Sequence, residues 1–271
     1  AALKRNTTGS NNIAIGGYAL CGNTAGGQNT AVGYNTLGGG TMTGAYNAAL
    51  GGYALHANTT ANSNTATGYS ALYANTTGSE NTASGYAALK CNTTGCYNTG
   101  IGYRALRANT TAIFNTAVGA CSLCANTTGA RNTATGWRAL CANTTGSCNT
   151  ATGGYALQAN TTSSYNVAHG YQAMYTNTTG ACNTASGASA LANQTTGNYN
   201  VATGYNALRL NETASCNTAV GACALYANTT GGVNTAGGAY ALLSNTTGAG
   251  NTALGYLALC KNTTGSCNAA V

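Results

Sequence analysis

The sequence predicts an all-β fold: a single parallel β-solenoid of about sixteen 17-residue coils, with no helices. Three observations carry that expectation. The segment 75–91, Asn-Thr-Thr-Gly-Ser-Glu-Asn-Thr-Ala-Ser-Gly-Tyr-Ala-Ala-Leu-Lys-Cys, returns every seventeen residues. Fixed and free positions alternate within the repeat, as an inside and an outside require. The composition suits a thin core: 39 of 271 residues are Gly, none is Pro, one is Phe, and only 4% are charged, against about 25% in ordinary soluble domains. Small side chains cannot fill a wide core, but they fill a coil that its neighbours cover.

With the first Asn as position 0, copies begin at Asn6, Asn23, Thr41, Asn58, Asn75, Asn92, Asn109, Asn126, Asn143, Asn160, Asn177, Gln194, Asn211, Asn228, Asn245 and Asn262. One spacing is eighteen, between Asn23 and Thr41, with the extra residue in the Gly38-Gly39-Gly40 run. Glycine absorbs a bulge at the least steric cost. The chain reads as one continuous repeat domain over 1–271, cut in mid-repeat at both ends. Such ends predict end-to-end assembly, because an exposed terminal coil is an open sheet edge.

Each coil is expected to hold two short strands, Asn-Thr-Ala-x-Gly and x-Ala-Leu-x-x, with Asn-Thr-Thr-Gly turning the chain between coils. A helical repeat is excluded by its density of Gly, Asn and Thr. Position 6 is Asn in every copy: Asn12, Asn29, Asn47, Asn64, Asn81, Asn98, Asn115, Asn132, Asn149, Asn166, Asn183, Asn200, Asn217, Asn234, Asn251 and Asn268. Stacked about 4.8 Å apart, these amides can hydrogen-bond from coil to coil as a ladder. Position 8 is Ala or Gly, and position 10 is always Gly. Position 14 forms an apolar column that includes Leu20, Leu55, Leu72, Leu89, Leu106, Leu140, Leu157, Leu208, Leu242 and Leu259, with Met174 the one exception. Position 13 is nearly always Ala. Adjacent strand residues face opposite ways, so either the chain bends at 13–14 or one position lies in an interface. About sixteen coils make a rod roughly 75 Å long.

Composition also bounds function. The net charge of +7 arises because the only acids are Glu80 and Glu212. The basic residues Lys4, Lys90, Arg104, Arg107, Arg138 and Arg209 are scattered over variable positions. That pattern reads as solubilising charge and not as a nucleic-acid surface. No stretch approaches the roughly 20 apolar residues of a membrane helix. His56 and His169 lie many coils apart, and no carboxylate pair exists, so neither acid–base catalysis nor a calcium site is expected. No cofactor is expected.

Four irregular features remain. Cys141–Cys148, Cys260–Cys267 and Cys91–Cys96 each flank the Asn-Thr-Thr-Gly corner and are candidate disulfides in an oxidising setting. The alternative is cysteine as a tolerated small residue. Cys121-Ser-Leu-Cys124 has metal-knuckle spacing but no second ligand pair. Asn-x-Thr sequons recur at Asn75, Asn92, Asn109, Asn126 and Asn143, either as glycan acceptors or as turn residues. Thr-x-Thr pairs such as Thr65/Thr67, Thr133/Thr135 and Thr150/Thr152 could order water as an ice-binding face does, or could reflect strand propensity alone. Tyr34, Tyr69, Tyr86, Tyr103, Tyr171, Tyr205 and Tyr256 form a column at position 11, a candidate subunit contact or a self-stacked shield.

The segment Asn11-Asn12-Ile13-Ala14-Ile15-Gly16 resembles the Asn-Ser-Val-Ala-Ile-Gly motif of YadA-like adhesin heads. The Asn-Thr-Ala-x-Gly-Tyr-x-Ala-Leu units are similar to repeats of bacterial surface proteins and phage tail-fibre-like proteins. The repeat here is longer than that family's usual unit, and position 7 is mostly Thr where the family has Val. The resemblance implies a left-handed β-roll, commonly trimeric, at a cell or virion surface. The expected role is a non-enzymatic extracellular rod, a fibre or filament segment that meets copies of itself end to end or laterally. A surface receptor or glycan is a further expected partner. Ice binding through the Thr columns is the alternative.

Overall fold

The computed structural model describes every residue, Ala1–Val271. They form two compact units, Ala1–Asn132 and Thr133–Val271. Each unit is a parallel β-solenoid of short strands and turns, with no helix. The first holds β1 (Ile13–Ile15), β2 (Thr30–Val32), β3 (Ala48–Leu50), β4 (Thr65–Thr67), β5 (Thr82–Ser84), β6 (Thr99–Ile101) and β7 (Thr116–Val118). The second runs from β8 (Thr133–Thr135) and β9 (Thr150–Thr152) to β15 (Thr252–Leu254) and β16 (Ala269–Ala270).

Within each unit successive strands pair in parallel and in register. Thr65, Ala66 and Thr67 face Thr82, Ala83 and Ser84, and Thr133, Ala134 and Thr135 face Thr150, Ala151 and Thr152. Register is fixed by burial. The central Ala points inward and its two neighbours outward, as in β4 and β8. A slip by one residue would turn the inward methyl column to solvent.

The second expected strand is absent. The x-Ala-Leu segment is a turn with coil-to-coil bonds of its own. Leu72 N donates to Ala88 O at 3.0 Å, and Leu89 N donates to Ala105 O at 3.0 Å. Left-handed residues stand on both sides of Ala88: φ is +54° at Ala87 and +50° at Leu89. That reversal brings two consecutive side chains to the same side, so Ala88 and Leu89 are both fully buried. The chain bends at positions 13–14, and no interface is needed to explain their constancy.

Position 14 repeats this conformation throughout, from Leu20 and Leu55 to Leu242 and Leu259, each with φ near +50°. A left-handed L-residue costs roughly 1–2 kcal/mol. Burying a Leu side chain contributes about 1.5–3 kcal/mol, so burial offsets the strain. A β-branched side chain would meet a larger penalty at that φ. This accounts for a column of Leu and Met without Ile or Val. Position 10 is stricter. Gly85 has φ +133°, and a Cβ there would lie 2.5 Å from the Gly102 carbonyl oxygen.

The eighteen-residue coil departs from the others. Met42, and not Thr41, takes the inward place: it is fully buried while Thr41 is exposed. Thr24 N donates to Met42 O at 2.9 Å, and Met42 N donates to Gly22 O at 3.0 Å. The surplus residue bulges at Gly40, where an added Cβ would meet open space.

The left-handed turn makes a direct test. Leu89→Ile keeps volume and hydropathy, yet it is expected to destabilise the fold by roughly 2–3 kcal/mol. Leu89→Met should stay within about 1 kcal/mol of the parent. Thermal melts followed by circular dichroism compare the two; an Ile variant as stable as the Met variant would contradict the backbone assignment.

Candidate functional surfaces

The inward polar groups form two amide ladders. The first is at position 6. Asn81 Nδ2 donates to Asn64 Oδ1 at 3.1 Å and to Gly95 O at 2.9 Å, while Asn81 N donates to the same Asn64 Oδ1 at 2.9 Å. In the first unit amide-to-amide contacts link Asn12, Asn29, Asn47, Asn64, Asn81, Asn98, Asn115 and Asn132 in turn. In the second, a backbone N–H to Oδ1 bond connects each Asn from Asn149 to Asn268 with the next.

The second ladder is at position 0, where the sequence suggests a turn residue. Asn92 Nδ2 donates to Asn75 Oδ1 at 2.8 Å and to Gly95 O at 2.9 Å. Asn109 and Asn126 extend the row in the first unit, and Asn143, Asn160 and Asn177 begin it in the second. Gln194 continues it at 3.3 Å to Asn177 Oδ1. The carbonyl at position 3 therefore accepts two side-chain amides. Gly95 O takes one from Asn92 of its own coil and one from Asn81 of the coil before.

This geometry removes the glycan reading. A glycan attaches to the amide nitrogen, and Asn75, Asn92, Asn109, Asn126 and Asn143 are all fully buried. Their Nδ2 atoms are engaged: Asn75 to Gly78 O, Asn109 to Ala112 O, Asn126 to Gly129 O and Asn143 to Gly146 O. A sugar on any of them would displace a bond of the interior.

The expected disulfides are not formed. All twelve cysteines are free thiols, including Cys141 and Cys148, Cys260 and Cys267, and Cys91 and Cys96. The corner that each pair flanks is closed by hydrogen bonds of the Asn between them, as Asn143 Nδ2 to Gly146 O at 2.9 Å shows. Cys96 Sγ instead accepts from Ser79 N at 3.3 Å. No group of three metal-ligating side chains comes together, Cys121 and Cys124 included.

The Thr positions divide by role. At position 1 the hydroxyl works inside the coil stack: Thr76 Oγ1 donates to Thr93 O at 3.1 Å. At positions 7 and 9 it faces outward, as at Thr65, Thr67, Thr133 and Thr135. The same outward face carries Ile13, Ile15, Leu50 and Ile101, all exposed.

The tyrosines stack on one another. In the first unit Tyr18, Tyr34, Tyr53, Tyr69, Tyr86 and Tyr103 form an unbroken ribbon with centroids 5.5–5.9 Å apart. Tyr18 and Tyr53 come from position 12 and fill the ribbon where position 11 is Gly. In the second unit Tyr171 meets Tyr155 edge-on at 6.0 Å, and Tyr256 meets Tyr240 at 6.2 Å. Tyr205 lies between Ala188 and Ala222 in its column and has no ring neighbour. Cations rest on these rings: Arg104 lies 5.0 Å from the Tyr103 centroid, Lys90 5.8 Å from Tyr73 and Arg138 5.9 Å from Tyr155. Elsewhere Glu80 beside Tyr97 raises that phenol's pKa, by its negative charge first and by their hydrogen bond second. His56 stacks on Tyr73 at 5.1 Å, whereas His169 is exposed at the end of its strand.

No protein-family model and no curated protein matches the chain. The likeness to YadA-like heads therefore stands on the quoted residues alone.

Asn92→Ala removes two donated bonds and leaves Asn75 Oδ1 buried without its donor. Each unsatisfied buried group costs about 1–3 kcal/mol, so a loss of roughly 2–5 kcal/mol is expected. Asn92→Gln should cost far less, because Gln194 already fills the same place. Hydrogen exchange across residues 75–110 reads the difference, and equal protection in both variants would remove the energetic role given to this ladder.

Proposed function

We propose that the chain is a non-enzymatic structural segment of an extracellular fibre or filament, a spacer that meets copies of itself. One observation supports this most: inward polar side chains are spent on coil-to-coil bonding, and most sequence variation lies at positions that are not fully buried. Constancy thus follows shape. The outward strand face supports contact between copies, since Ile13, Ile15, Leu50 and Ile101 are exposed side by side with Thr. Exposed apolar residues grouped in this way mark interaction surfaces.

A second reading, ice binding, draws on the outward Thr hydroxyls of β4, β8 and β9. Their spacing along the axis is regular, but position 9 also holds Leu50, Ile101, His169 and Gly237. A surface that must match a lattice tolerates such changes poorly.

Stretching single molecules tests the spacer role. Coils that unzip singly should release chain in steps of about 55 Å, the extended length of seventeen residues less one rung. Extension without resistance would overturn the proposal. Sedimentation of the parent and of Ile15→Thr/Leu50→Thr is expected to show weaker self-association in the variant. Thermal hysteresis in the purified protein would instead select the ice-binding reading.

A further inference from the structure

Beside the tyrosine ribbon of the first unit lies an open hollow of about 490 Å³, lined by Tyr53, Tyr69, Ser70, Tyr73, Tyr86 and Lys90. It has a local cause in the sequence. Ser70 of position 12 forms its floor, and the next coil carries another small buried residue at that position, Ala87. The coil before has Tyr53 at that position, and the coil after has Arg104. Of these two, Tyr53 lines the hollow and bounds one end. Tyr69 and Tyr86 of position 11 make one wall, with rings stacked 5.8 Å apart at 9°. Tyr73 and Lys90 of position 15 make the other. Tyr73 is held in place by His56, stacked 5.1 Å from it at 17°, and by Lys90 Nζ, 5.8 Å from its centroid. The walls are thus ordered before any ligand arrives, which limits the entropy cost of binding.

We propose that this hollow binds a single acidic sugar ring, of the hexuronate class, at the end of a glycan. The volume falls within the roughly 300–1,000 Å³ of small-molecule sites. Tyrosines present an apolar body and a hydroxyl tip, which suits a ring with C–H faces and a hydroxyl rim. Lys90 supplies one ammonium for one carboxylate. The field favours an anion, since the first unit holds a single acid, Glu80, and that side chain is engaged with Tyr97. Neutral hexoses would satisfy the rings and leave the ammonium unmatched. A long polymer would meet Tyr53 at one end.

The test titrates the whole chain with a glucuronate-terminated disaccharide and with its glucose-terminated counterpart, read by saturation-transfer NMR and calorimetry. The acidic sugar is expected to bind about tenfold more tightly than the neutral one. Lys90→Gln should abolish that preference. Ser70→Leu should abolish binding of both sugars by filling the floor. Its fold has a precedent in Leu257, which follows Tyr256 at the same two positions with φ +59°, against +56° at Ser70. If Ser70→Leu unfolds, Tyr73→Gln takes its place, since Gln158 occupies that column in another coil. Lys261→Gln, in the second unit, should change nothing. No saturation by either sugar, equal affinity for both in the parent, or a preference that survives Lys90→Gln would each overturn the proposal.

Discussion

The structure depends on one carbonyl per coil. The backbone oxygen at position 3 lies inside the Thr-Thr-Gly corner, away from water, and a buried acceptor must be satisfied from within. Its two lone pairs are filled by amides from two coils, as Gly95 O is by Asn92 and Asn81. Each of these two amides gives its other N–H to the side-chain oxygen of the coil before it, Asn92 to Asn75 and Asn81 to Asn64. One acceptor thereby ties both ladders to the corner and ties each coil to its predecessor. Asp cannot serve, because it has no N–H to give. Ser and Thr are too short and carry only one donor. That restriction explains why position 6 is Asn in all sixteen copies.

The ladders matter because the backbone around them is strained. Every full coil holds three left-handed positions, all outside glycine except Gly250, and in the fifth coil these are Glu80, Ala87 and Leu89. At roughly 1–2 kcal/mol each, a lone coil has no means to hold this conformation. Neighbours supply it. The turn N–H groups donate to the next coil, as Leu89 N does to Ala105 O, and the Leu column closes over the alanines. Stability is therefore a property of stacked pairs of coils, as in other repeat proteins. The outward strand face is excused from this duty, and its position 9 drifts among Thr, Val, Leu, Ile, Ser, His and Gly.

Periodicity made the solenoid legible, along with its inward Ala at position 8 and its unvarying Gly at position 10. It did not reveal the turn at 13–14, because period-two reasoning assumes an extended backbone and Leu carries no mark of a left-handed φ. The useful signal was the contradiction itself: two adjacent constant residues cannot both be inward in a strand. Position 0 was hidden differently. Asn-Thr-Thr-Gly has turn composition and spells a sequon, so the amide looked local. Gln194 held the clue, since a turn would accept Ser, Asp or Gly at that place, whereas only Gln keeps an amide. The hollow beside Tyr73 was illegible in one coil at a time. It arises from Ser70 and Ala87 standing next to each other across seventeen residues.

The same accounting locates the weakest rung. Where the chain is one residue longer, Met42 fills the inward space of position 0 with a flexible thioether and no N–H. Asn23 Oδ1, which would accept from that coil's amide, is then buried without a partner. Each such group costs about 1–3 kcal/mol. The position-6 ladder still crosses this coil through Asn47, bonded to Asn29 and Asn64. One of two ties is cut, and the glycine run beside it adds backbone freedom. Local opening therefore has its lowest cost at the third coil, for the reason that makes the others firm: a carbonyl or amide in this interior has no solvent to turn to, only the next coil.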